Sequence, residues 1–195
     1  MNYLAHIFLS GGQRDLMVGN FIADAVKGKQ LERFTPEIQR GIRLHRAIDS
    51  FTDNHEITKQ SRQRLYTEYR HYSGVIIDIY YDHFLAKNWS QYHHLDLKDF
   101  TIEVYKTLDE YREILPQKVV YMLQYMVPQN WLLNYAHYDG IERVLTGMSR
   151  RTRFDSRMEL AINELKEHNE LFEEEFTAFF PLLQSFVSNE QKNYS

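Results

Sequence analysis

The 195-residue chain has no cysteine, so disulfides, a thiolate nucleophile and sulfur-built zinc sites are all excluded. Any metal it holds must be bound through nitrogen and oxygen. Only 8 glycines and 4 prolines punctuate it, and no run of about 18 apolar residues exists to cross a bilayer, so no membrane partner is expected. Long blocks of one charge are also missing. The 23 basic and 27 acidic residues leave a net charge of -4, which gives no bulk attraction to nucleic acid. The opening stretch MNYLAHIFLSGG lacks the basic region of a signal peptide and carries His6 among its apolar residues, so a cytoplasmic location is expected. The chain contains no His-Glu-x-x-His, Gly-x-x-x-x-Gly-Lys or Gly-x-Ser-x-Gly motif. A ferritin-like dinuclear site needs Glu-x-x-His on each of two helices, and only Glu68 with His71 fits that spacing.

With 43% hydrophobic residues, a chain of this length suits one domain with a full core. Helical periodicity dominates, predicting an all-α, single-domain helical bundle over residues 1–188 with a flexible tail at 189–195. A first helix is expected near residues 2–9, ended by Gly11 and Gly12, and a second over 15–27, stopped by Gly28. Thr35-Pro36-Glu37 supplies an N-cap, a first-turn proline and an early acid for a third helix. Its end is blurred by turn-like chemistry at 51–54, which leaves Asp53 on the helix or in a loop beside it. Further helices are expected over 56–72 and 75–87, the latter apolar nearly all round. Others follow over 97–115, over 117–135 with Pro128 kinking or dividing it, over 140–148, and over 154–187 with Pro181 bending its end.

Three polar pairs at i, i+4 interrupt these apolar faces: Asn20 with Asp24, His45 with Asp49, and Asp78 with Asp82, which His83 follows. A carboxylate buried among Val, Ile, Tyr and Phe is costly unless it is paired, neutralised or bound to a cation. Asp78 and Asp82 therefore need a partner. A divalent ion would serve, and so would Arg43, Arg46, Arg62 or Arg64 in a purely structural network. Asn20 and Asp24 also read as a solvated helix face, and His45 with Asp49 as an ordinary helix-stabilising pair. The ligand pool is His6, Asp24, His45, Asp49, Asp78, Asp82 and His83, a set suited to Mn, Mg or Fe, with Zn possible through the histidines. His55 and His137 sit at helix junctions, where either could act as a general acid.

Taken together, MNYLAH at 1–6, GNFIADAVKG at 19–28, GIRLHRAIDSFTDNH at 41–55, DIYYDHFLAKNW at 78–89 and LNYAHYDGIERVLTGMSRR at 133–151 resemble the acyl carrier protein phosphodiesterases. The likeness covers essentially the whole chain. It implies an all-α fold distantly related to the HD-type metal phosphohydrolases, although the adjacent pair Asp82-His83 reverses the usual His-before-Asp order. It implies a divalent metal, Mn above all. The implied reaction is hydrolysis of the phosphodiester joining 4'-phosphopantetheine to a serine of holo acyl carrier protein.

On this resemblance, His6, Asp24, His45, Asp78 and Asp82 are the expected metal ligands and His45, Asp49 and His83 the expected catalytic residues, with Asn20 as a neighbour. Water acidified by the metal would attack phosphorus in line while the ion stabilises the non-bridging oxygens. Lys27 and Arg46 are the expected phosphate contacts, although Arg46 equally suits an ion pair with a buried aspartate. An acidic carrier protein calls for a basic docking patch, for which Arg150 and Arg151 in Ser-Arg-Arg-Thr-Arg form the best cluster, unless they are simply solvated surface. Two readings compete with this one: a phosphohydrolase of nucleotides or other small phosphoesters, and a helical carrier-protein binder without metal. The oligomeric state is not legible.

Overall fold

The computed structural model describes residues 1–192, and all of its regular structure is helical. The α-helices are α1 (Tyr3–Phe8), α2 (Arg14–Ile22), α3 (Pro36–Asn54), α4 (Glu56–Tyr69), α5 (Ser73–Lys87) and α6 (Leu97–Glu110). The remainder are α7 (Gln117–Met126), α8 (Trp131–Asn134), α9 (Tyr138–Ser149), α10 (Ile162–Glu167) and α11 (Asn169–Lys192). No helix among the described residues is long and apolar enough to cross a membrane.

α5 is the central helix. Ile76, Ile77, Ile79, Tyr80, Tyr81, Phe84 and Leu85 are all fully buried, so it is enclosed on every side, as its nearly unbroken apolar run requires. α11 lays the stripe Phe172, Phe176, Phe179 and Leu183 along it, with Tyr80 on Phe172 and Tyr81 on Phe176 at ring separations of 5.2 and 5.7 Å. The buried Glu175 of α11 is neutralised by the Arg64 guanidinium, 2.9 Å away, and accepts from the Ser61 hydroxyl, fastening α4 to α11.

α2 and α3 pack at backbone contact. A Cβ on Gly19 would lie 2.0 Å from the Ile38 carbonyl oxygen, and one on Gly41 would lie 2.2 Å from that of Leu16. No residue with a side chain fits either position without separating the helices. α3 starts as its N-terminal sequence predicts, with the Thr35 hydroxyl accepting from the Ile38 N–H and Pro36 in the first turn.

Several boundaries differ from the periodicity. α2 gives way after Ile22 to a 3-10 turn at Ala23–Ala25, so Asp24 projects from a turn and not from an α-helix. α3 runs on to Asn54, which keeps Asp53 helical, where it pairs with Arg62. The segment around Pro128 divides α7 from α8 as expected. The single last helix expected over 154–187 is instead a 3-10 turn, α10 and α11, broken at His168, and Pro181 sits inside α11. α11 reaches Lys192, so residues 189–192 are helical; the rest of the expected tail, 193–195, lies outside the described residues.

Candidate functional site

The close α2–α3 contact carries a catalytic-looking residue with it. Because Gly19 and Gly41 let the backbones touch, the carbonyl of Asn20 comes within 2.9 Å of His45 Nδ1, which donates to it. That bond fixes the tautomer and leaves Nε2 as the free nitrogen, the arrangement common to metal-ligating histidines. Nε2 faces Asp49 Oδ2 at 3.1 Å and Asp24 Oδ1 at 3.4 Å.

α1 delivers the second imidazole. His6 is buried, stacks on His45 with ring centroids 3.9 Å apart, and places Nε2 3.1 Å from Asp49 Oδ1. The Asn20 amide holds this helix too, donating to the His6 carbonyl at 2.7 Å and to the Ser10 hydroxyl at 3.1 Å. Asn20 therefore anchors both histidines, one through its backbone and one through its side chain.

His6, His45 and Asp49 each offer one ligand atom, all within 4.8 Å of one another, a group that could hold a metal ion. Two imidazoles and a carboxylate without sulfur fit a borderline or hard divalent ion, and His6 Nδ1 is a buried atom without a hydrogen-bond partner. In the metal-free protein the charges settle unevenly. Burial pushes the His45 pKa down, but hydrogen bonds to Asp24 and Asp49 outweigh it and raise the value to about 9. Burial dominates at His6, lowering it to about 4 despite its bond to Asp49. Burial opposes the Asp49 charge, yet the bonds from His45 and His6 hold its carboxyl far below the usual carboxylate range.

The other expected residues are sorted by the tertiary structure. Asp78 does not join the three ligands: its Oδ1 lies 2.9 Å from the Met1 ammonium, which is itself 3.8 Å from Asp49 Oδ1. Asp82 is fully buried and capped onto another helix, accepting from the N–H groups of Asn2, Leu4 and Ala5 at 3.2, 2.7 and 3.3 Å. Its carboxylate is the N-terminal cap of α1, supplied by α5, where Asn2 makes no cap of its own. Burial pushes that carboxyl up to about 7, against the pull of the N-terminal ammonium and the three N–H donors. The geometry thus gives Asp82 a structural place in preference to a metal-binding one.

His83 also departs from its expected role. Next in sequence to Asp82, it points elsewhere, donating from Nδ1 to the Tyr135 carbonyl at 2.7 Å and stacking on Tyr138. His55 is likewise occupied, joining α3 to α4 and accepting from the Ile57 N–H.

A cavity of about 370 Å³ opens beside the cluster. Its lining includes Asp24, His45, Asp49 and Asp78, the larger side chains Tyr3, Val75, Met122 and Trp131, and, from α9 and the turn after it, Arg143, Val144, Gly147, Met148 and Arg151. Of the basic residues expected at the substrate, only Arg151 lines this cavity. Lys27 lies exposed in the turn before Gly28, Arg46 donates to the Val26 carbonyl at 3.3 Å, and Arg150 is on the surface. Arg143 was missed. Its signal is a helical stripe at 140, 143, 144, 147, 148 and 151, where two glycines and two arginines share one face.

A family model described as acyl carrier protein phosphodiesterase matches residues 1–183. A protein of Escherichia coli O6:H1 named acyl carrier protein phosphodiesterase is 33% identical over 190 residues, covering 96% of this chain and 98% of that protein. One of the same name from Yersinia enterocolitica serotype O:8 is 30% identical over 192 residues, covering 98% of this chain and 100% of that protein. No solved structure matches. The chain belongs to the acyl carrier protein phosphodiesterase family.

Proposed function

We propose that this member of the acyl carrier protein phosphodiesterase family hydrolyses holo acyl carrier protein to apo carrier and 4'-phosphopantetheine in the cavity between α1, α3 and α9. The observation that carries the placement is the convergence of His6, His45 and Asp49, two of which, His45 and Asp49, line the cavity together with Arg143 and Arg151. The family's name and the two relatives support the substrate.

His6, His45 and Asp49 would hold a divalent ion, Mn by the resemblance, with Asp24 close enough to His45 Nε2 to assist. Such an ion supplies Lewis acidity toward the phosphate oxygens and lowers the pKa of water. The chain supplies the rest. The Asn20 carbonyl holds the His45 tautomer, Asp49 spans both imidazoles, and Asp24, the most exposed of these carboxylates, orients the incoming water. Water oxygen bonds to phosphorus as the bond from phosphorus to the serine oxygen breaks, and the proton given up by the water ends on that oxygen, regenerating the serine hydroxyl. Asp78, paired with the Met1 ammonium, also lines the cavity and adds to its acidic side chains.

The test is mass spectrometry of holo carrier incubated with the protein and Mn. Loss of the phosphopantetheine mass, blocked by chelator and absent in His45→Ala, is expected; an intact carrier alongside cleavage of a nucleotide would overturn the substrate. Metal analysis of the wild type and His45→Ala checks the ligand set, with bound metal expected only in the wild type.

A further inference from the structure

The basic residues of the cavity point to how the substrate is held. Arg143 and Arg151 stand eight residues apart, two turns along one face of α9 and its following turn. No carboxylate among the described residues pairs with either, whereas most other arginines near carboxylates are spent on them, as with Arg62 on Asp53, Arg64 on Glu175 and Arg157 on Glu68. Two guanidiniums without a carboxylate partner, both lining this cavity, are poised for an anion.

Arg151 Nε donates to the Gly147 carbonyl at 2.8 Å, and a Cβ on Gly147 would come within 3.4 Å of Arg151 Nη2. Glycine inside a helix is unfavourable relative to alanine. At this position the Arg151 guanidinium folds back against its own helix.

The same cavity has an apolar component. Trp131, Met122, Val144 and Met148 line the cavity, and its volume of about 370 Å³ falls in the small-molecule range of about 300–1,000 Å³. That suits a slender flexible arm and not a folded segment of a carrier protein.

We propose that Arg143 and Arg151 clamp the phosphate of the substrate, and that the pantetheine arm lies along the Trp131–Met122 side of the cavity. The clamp deepens the hydrolase reading above and rests on it for the identity of the arm. Recognition is then of the prosthetic group itself, so free 4'-phosphopantetheine is a ligand and a product inhibitor. Arg151 serves the phosphate and not the docking of an acidic protein surface.

The test is calorimetric titration of the chelated protein with 4'-phosphopantetheine, inorganic phosphate and phosphate-free pantetheine, paired with quenching of Trp131 fluorescence. Wild type is expected to bind phosphopantetheine more tightly than either fragment. Arg143→Gln and Arg151→Gln should each lose about tenfold to a hundredfold in affinity, the range of a lost charge-assisted contact, with Arg143→Lys keeping part of it. Trp131→Phe should abolish the quenching. Unchanged affinity and unchanged KM in both glutamine variants would overturn the clamp even if holo carrier is cleaved. Arginine-dependent binding by a protein that leaves holo carrier intact would keep the clamp and sink the hydrolase reading.

Discussion

α3 and α5 each carry a polar pair one helical turn apart, His45 with Asp49 and Asp78 with Asp82, and the two pairs are put to different uses. On α3 both members face the same way, onto His6 and the cavity, and Asp49 keeps 39% of its side-chain surface in contact with solvent. On α5 the pair is split. Asp78 reaches the cavity and the Met1 ammonium, while Asp82 is sealed and gives its oxygens to three backbone N–H groups of α1. The more deeply buried carboxylate is the more structural one, because burial without solvent forces it to spend its lone pairs on donors already in the protein. A site for a substrate needs the reverse, polar atoms left over at a surface that something else can reach.

Removing either member of the α3 pair should give the largest effect. His45→Ala and Asp49→Ala are expected to lower kcat by about 10²–10³-fold or more while circular dichroism keeps the helical signature of the wild type. Loss of fold in these variants, and not of rate, would erase the contrast with α5. Asp82→Ala should show the complementary result. Leaving three N–H groups of α1 uncapped is expected to cost about 3 kcal/mol in urea unfolding, with turnover per folded molecule changing far less than in the α3 variants.

Asn20→Ala sharpens the comparison from behind the site. Removing the amide that ties α1 to α2 should lower metal affinity or activity by about 10–100-fold, the scale of an orienting group. Isothermal titration with Mn measures it, and wild-type affinity would deny Asn20 that place.

The pH dependence of the chelated protein follows from the two histidines. In the unfolded chain both titrate near the ordinary value of about 6.5. His45, raised to about 9, contributes stability that is complete below about 6.5 and is lost as pH rises through 9. His6, lowered to about 4, contributes stability present above about 6.5 and lost as pH falls through 4. Their joint contribution is therefore greatest near pH 6.5, and a melting series should find Asp49→Ala weakening the alkaline limb of that profile, with Asp24 left as the His45 partner. The smallest effects belong to Lys27→Ala and Arg46→Ala, expected within about 0.5 kcal/mol in stability and within about twofold in KM, because neither lines the cavity.

How far the site was legible follows from the kind of information each residue carries. His45 and Asp49 were legible because both lie on one helix, and helical spacing alone makes them neighbours. Asp24 came close for a different reason than the one its spacing suggested. Its i, i+4 relation to Asn20 assumed an α-helix, whereas a 3-10 turn presents it to His45. Asp82 and His83 read as ligands because nothing local tells a metal from the unsatisfied end of a helix 78 residues away. Arg143 was not singled out, since its place on the cavity depends on where α8 and the turn at Pro128 leave α9.

By itself the sequence determined the helical class, the central place of the apolar 75–87 segment, the cap and start of α3, and the exclusion of sulfur chemistry. These are consequences of composition and of a period of 3.6 residues, which every stretch of chain carries locally. Only the tertiary structure decided which polar residues share a site. That choice rests on the α2–α3 contact at Gly19 and Gly41, on a cap supplied from α5 to α1, and on the approach of α9. Each is a distance between segments remote in sequence, and such distances are set by packing the whole core at once.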